Sequence, residues 1–149
     1  MKKARYKVLA TGIIVAAVLA ALLLYFWPMK ISDLINENQE IHITQIEMGI
    51  QDGEPYMDNE NYCDLTKEQR KDIIDLFQQY TYRRTPGTAF SDGSLSGISD
   101  RIIHVYAYDD GELLYTIFIT DTNGLSINER SYVLRDSSGL IQEILTVIE

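Results

Sequence analysis

The chain predicts an α+β domain, with helices packed on an antiparallel sheet, and three observations carry that prediction. A capped, one-sided apolar helix begins at Thr66. After Asp100 the apolar period changes from 3.6 to two, and the C-terminal residues return to a helical stripe. The expected order is β-α-β-β-β-β-α, preceded by one apolar helix at the N-terminus.

Residues 1–7 (MKKARYK) form a basic tail, and residues 8–27 (VLATGIIVAAVLAALLLYFW) contain no charge. As a helix those 20 residues rise about 30 Å, the thickness of a hydrocarbon core. The basic flank places the N-terminus on the cytoplasmic side, and Tyr25, Phe26 and Trp27 suit the opposite headgroup zone before Pro28 stops the helix. A single-pass signal anchor in the cell membrane is therefore expected, with residues 41–149 outside the cytoplasm. Val18-Leu19-Ala20 is the alternative, a cleavage site, but the apolar run continues past it. No cysteine stands directly after the run to accept a lipid. Ala16, Ala17, Ala20 and Ala21 place small residues four apart, a spacing that lets two membrane helices approach closely.

Residues 28–40 read as a tether with one helical turn near Ser32–Asn36, and IHITQIEMGI (41–50) as a first strand. QDGEPYMDNENYCD (51–64) is polar, contains Gly53 and Pro55, and reads as a loop. Thr66-Lys67-Glu68-Gln69 fits a capping box. Ile73, Ile74, Phe77 and Tyr80 then recur on one helical face. Arg83 and Arg84, the only adjacent arginines, are expected in the last turn or just beyond, where Pro86-Gly87 ends the helix. Cations there oppose the helix dipole; the competing reading is contact with an anionic partner.

In RIIHVYAYDDGELLYTIFIT (101–120), Asp110-Gly111 is a two-residue hairpin signal. Pairing Asp109 with Glu112 places His104 opposite Ile117 and Tyr106 opposite Tyr115, with both faces largely apolar and the hairpin central in the sheet. Asn123-Gly124 and Asn128-Glu129 mark two further turns around LSI (125–127) and SYVLR (131–135). Leu140, Ile141, Ile144, Leu145 and Ile148 make the final helical stripe, capped by Asp136 or Ser137.

Composition narrows function. With 46% hydrophobic residues the chain can bury a core. Five of its 13 basic residues lie in the first thirty with no acid, so eight face all 22 acids in 31–149, a net of −14. Such a domain repels phosphate backbones and anionic headgroups, which argues against nucleic acid as a partner. Cys63 is the only cysteine, so there is no intramolecular disulfide and no four-cysteine zinc site; it reads as a small loop residue, with a free reactive thiol as the alternative.

The sequence has no nucleophile elbow, His-Glu-x-x-His, phosphate-cradling loop or dinucleotide fingerprint, so no enzyme and no cofactor is expected. His42 and His104 lie in strand-like runs, where a half-buried structural role outweighs a metal site. Asp121–Gly124 begins like an acidic calcium loop, but its glycine falls at the fourth position. Asp52, Glu54, Asp58 and Glu60 alternate and would share one side of an extended chain; a solvated acidic segment explains them without an ion. Tyr106 and Tyr115 read first as a cross-strand core pair, and otherwise as a strip that meets a partner. The candidate binding residues are thus Arg83, Arg84, His104, Tyr106 and Tyr115.

The basic tail, the apolar run, LTKEQRKDIIDLFQQYTYRRT (65–85) and the alternating strands together resemble uncharacterised small membrane-anchored or lipoprotein-like ectodomains of Gram-positive bacteria. That resemblance implies a location and brings no known activity. The expectation is a non-catalytic binding or accessory module at the outer membrane face, with a protein as its possible partner. An envelope hydrolase using His104 and the acids, and an immunity-type inhibitor, are the rival readings.

Overall fold

The structure, a computed structural model, describes residues 2–91 and 99–148, with side chains from residue 11 onward. The lysines and arginine of the expected basic tail therefore lie outside the described side chains. The N-terminal helix α1 spans Lys2–Tyr25. Only residues 11–27 of the uncharged run are described in full, and among the described residues no helix is long and apolar enough to cross a membrane. The case for a span accordingly rests on residues 8–27 as sequence.

The remainder forms one antiparallel sheet of eight strands with two helices on one face, the expected α+β class with more strands than expected. The strands are β1 (Met29–Lys30), β2 (Glu40–Gln51), β3 (Glu54–Tyr62), β4 (Thr81–Arg83), β5 (Arg101–Asp109), β6 (Glu112–Thr120), β7 (Gly124–Ile127) and β8 (Arg130–Leu134). Their spatial order is β1-β4-β8-β7-β6-β5-β2-β3. The helices are α2 (Lys67–Gln79) and α3 (Ser137–Ile148).

Helix α2 starts as its residues dictate. The Thr66 hydroxyl accepts from the Gln69 amide at 3.1 Å, and the Thr66 amide donates to the Gln69 side chain at 3.0 Å. The same Gln69 side chain donates to the Val147 carbonyl at 3.1 Å, tying α2 to the end of α3. Ile73, Ile74 and Phe77 of α2 and Leu140, Ile141, Ile144, Leu145 and Ile148 of α3 are buried against Ile41, Ile43, Ile103, Val105, Ile117, Ile119 and Leu125 of the sheet. The Ser137 hydroxyl does not cap its own helix. It donates to the Asn123 side chain, and the Asn123 amide donates back to it at 2.8 Å, locking the β6–β7 turn to α3.

Four expectations are corrected. Residues 54–62, read as loop, form β3, paired with β2 from Ile43↔Tyr62 to Gln51↔Glu54. Asp52 and Gly53 close that hairpin with φ of 53° and 86°, the left-handed pair a two-residue hairpin turn requires. Residues 28–40 supply β1 and bury Ile31 and Ile35 in the core, so they are packed chain and not a free tether. A bulge between Ala107 and Tyr108 shifts the β5–β6 register by one: Ala107 opposes Tyr115, His104 opposes Phe118 and Tyr106 opposes Thr116. Leu114 is the extra residue, and a one-residue shift exchanges the faces of everything beyond it. Finally, α2 ends at Gln79, and Tyr80 is already extended with ψ of 136°. Arg83 thus belongs to β4, and neither arginine sits at the C-terminus of α2.

Candidate functional site

The adjacent arginines leave the sheet on a very short strand. β4 joins β8 through Tyr82↔Leu134 and Arg83↔Val133. Alternation turns Tyr82 into the core, where it meets Tyr132 edge-on at 5.1 Å, and turns Arg83 to the opposite, exposed face. Burial pushes the Tyr82 phenol up to about 12, so it stays neutral. The chain after β4 then runs beside the start of β8. The Thr88 hydroxyl donates to the Ser131 carbonyl at 2.7 Å, and the Ser131 amide donates to the Ser91 hydroxyl at 2.7 Å. Side chains there do what a longer β4 would do with its backbone.

Arg84 does meet a helix C-terminus, but that of α1. Its guanidinium donates to the carbonyl of Tyr25, the last residue of α1, at 3.3 Å. The guanidinium carbon also lies 5.5 Å from the Tyr25 ring centre, and the Tyr25 hydroxyl donates to the Thr85 carbonyl at 3.4 Å. A cation on the unsatisfied carbonyls of a helix end is favourable by roughly 0.3–1 kcal/mol. The expected physics holds, applied to a helix about sixty residues away in sequence.

Arg83, Arg84 and Arg135 line one cleft of about 420 Å³ with Thr81, Thr85, Pro86 and Val133. Arg135 had no signal of its own, since it reads simply as the end of SYVLR; the hydrogen bond from its backbone amide to Thr81 at 3.5 Å brings it beside β4. Among the described residues no carboxylate lines this cleft, and none of the three arginines has an acid within ion-pair distance. Asp136 lies in the adjoining hollow, which Arg135 and Thr81 also line, with Tyr80 and Gln79. A larger hollow of about 540 Å³ mixes Glu37 and Glu68 with Lys67, Arg70 and Lys71, so its charges offset one another. Three guanidiniums without an ion-pair partner thus gather at one cleft of a domain with a large acid surplus.

The other expected residues do not assemble. Tyr115 packs against the core, while Tyr106 is on the far face opposite Thr116, so the two tyrosines are separated by the sheet. His104 shares the far face. Its ring stands edge-on to Phe118 at 4.1 Å, and its Nδ1 is 3.3 Å from the Tyr106 hydroxyl. Burial lowers its pKa to about 4, so it is neutral at pH 7. His42 instead meets the Glu40 carboxylate at 2.8 Å and Tyr108 at 5.0 Å. Among the described residues no three His, Cys, Asp or Glu side chains converge to hold a metal. Glu54, Asp58 and Glu60 do alternate along one side of β3, in the open. No family model, curated protein or solved structure matches this chain.

Proposed function

We propose that the chain is a single-pass membrane protein, N-terminus inside, whose extracytoplasmic domain is a non-catalytic binding module, with the arginine cleft as its recognition site for an anionic group. The convergence of Arg83, Arg84 and Arg135 on one cleft without an acid is the observation that carries this reading. The uncharged run at 8–27 and the aromatic residues that end it support the anchor. A guanidinium donates in a planar fork matched to carboxylate and phosphate oxygens, and several together bind more than one oxygen of the same group.

The reading is checked with the full chain in a neutral maltoside detergent, titrated with inorganic pyrophosphate in a calorimeter. A saturable heat that shrinks as salt rises is expected. Arg83→Gln combined with Arg135→Gln removes it, while stability stays within about 0.5 kcal/mol because both side chains are exposed. A wild-type protein that gives no saturable heat with pyrophosphate or phosphate sinks the reading.

A further inference from the structure

We propose that the anion held in this cleft is the phosphodiester of a net-anionic membrane lipid headgroup, with no quaternary ammonium to offset it, and that the contact sets the orientation of the sheet on the bilayer. The inference rests on the binding module read above and adds the ligand class. Position is the first argument. Arg84 is fastened to the last carbonyl and to the ring of Tyr25, so the cleft sits where the chain leaves the apolar run. Phe26 and Trp27 follow, 38% and 65% exposed, as an aromatic pair at headgroup depth. The anion present in quantity at that depth is lipid phosphate. A soluble ligand reaches this cleft only by entering the headgroup layer.

Charge is the second argument. The domain as a whole is strongly acidic, and that net repels an anionic surface. Its charge is nevertheless divided along the sheet. β1, β4 and β8 themselves carry Lys30, Arg83 and Arg130 and no acid, with Asp33 and Asp136 in the segments beside them. β3, at the other end of the strand order, carries Glu54, Asp58 and Glu60 and no base. Seven strand steps at roughly 4.8 Å separate the two edges by about 34 Å. That exceeds the screening length of about 8 Å at physiological salt, so headgroups touching the basic edge do not feel the carboxylates of β3.

The cleft's chemistry agrees. Thr81 lines the cleft beside the three guanidiniums, Thr85 is held in place by Thr88, and Pro86 with the half-exposed Val133 gives an apolar wall for the glycerol carbons beside a phosphate. Arg84 is already committed to Tyr25, so Arg83 and Arg135 supply the discriminating contacts.

The full chain is reconstituted in nanodiscs of mixed phosphatidylcholine and phosphatidylglycerol, and the lipid that stays bound on release is counted by native mass spectrometry. Wild type is expected to retain phosphatidylglycerol at least tenfold better than the Arg83→Gln, Arg135→Gln variant. Val133→Asp, which places an acid in the cleft without touching an arginine, should lose it equally. Retention that is the same in all three proteins overturns the proposal, since it marks lipid held around the helix alone. Pyrophosphate binding in detergent without selective lipid retention overturns the lipid while leaving the anion cleft standing; loss of both removes the cleft as well. Melting curves of the three proteins in the same discs should coincide, and a variant that unfolds is replaced by Arg83→Lys with Arg135→Lys, which keeps the charge and should retain lipid partially.

Discussion

At one end of the sheet, β1, β4 and β8 are two to five residues long, carry only basic charge, and send Tyr82 and Leu134 into the core. At the other end β3 is nine residues long, carries only acidic charge, and leaves all but Tyr62 exposed. Both ends face the same hazard, since an unpaired strand invites another chain to add to it. The basic end meets it with brevity and cover: Thr88 and Ser91 occupy the backbone groups of Ser131. The acidic end meets it with like charge on an otherwise open edge. The comparison teaches that burial and surface charge are located in different halves of this sheet, with the buried side chains of β4 and β8 at the end fastened to α1.

The largest test of that contrast lies in packing. Leu134→Ala, at a fully buried site of β8, should destabilise the domain by about 2–5 kcal/mol in denaturant titration. Met57→Ala in β3, at a side chain 68% exposed, should stay within about 0.5 kcal/mol. Equal losses would erase the distinction between the two ends. A smaller effect sits at the middle of the sheet, where His104 lies between Thr44 and Phe118. Its folded pKa of about 4 lies below the ordinary 6.5, so the neutral form is the folded one. Stability from this group is complete above pH 6.5 and is lost as pH falls toward 4, where the unfolded chain binds the proton more readily. His104→Phe should flatten that slope, read as the change of unfolding free energy between pH 7 and 4.5 relative to wild type; an unchanged slope shows that the ring is not held neutral by burial. The smallest effect on folding should come from Glu54→Gln, Asp58→Asn and Glu60→Gln together. Stability barely moves, but sedimentation velocity should show concentration-dependent association through the uncharged edge. A monomer at all concentrations would mean that something other than charge protects β3.

Much of this was legible in the residues. Thr66 and Gln69 announce α2 because a capping box is a local device, complete within four positions. The apolar stripe of α3 and the turns at Asp110-Gly111 and Asn128-Glu129 are equally local, and all are found as expected. What failed was non-local or lacked an apolar signature. β3 is polar on both sides, so no alternation marks it, although Asp52-Gly53 carries the same turn chemistry as Asp110-Gly111. The bulge at Ala107 and Tyr108 has no residue signal, and it moved Tyr106 away from Tyr115. The arginine pair was found as chemistry, but its partner Tyr25 lies in another element and Arg135 joins it only through the β4–β8 edge. Half of the candidate site was therefore readable, and the other half exists only once the sheet is assembled.

The grip of Arg84 on Tyr25 has a mechanical side. Only Phe26, Trp27 and Pro28 separate α1 from β1, and the Arg84 guanidinium bonds back across that link to Tyr25. For an anchor in a bilayer, helix tilt follows membrane thickness. On the anchoring proposed above, a helix held to the sheet in this way would pass that tilt on, so thinning or thickening of the membrane would swing the acidic hairpin of β2 and β3, at the far end of the sheet, through the widest arc.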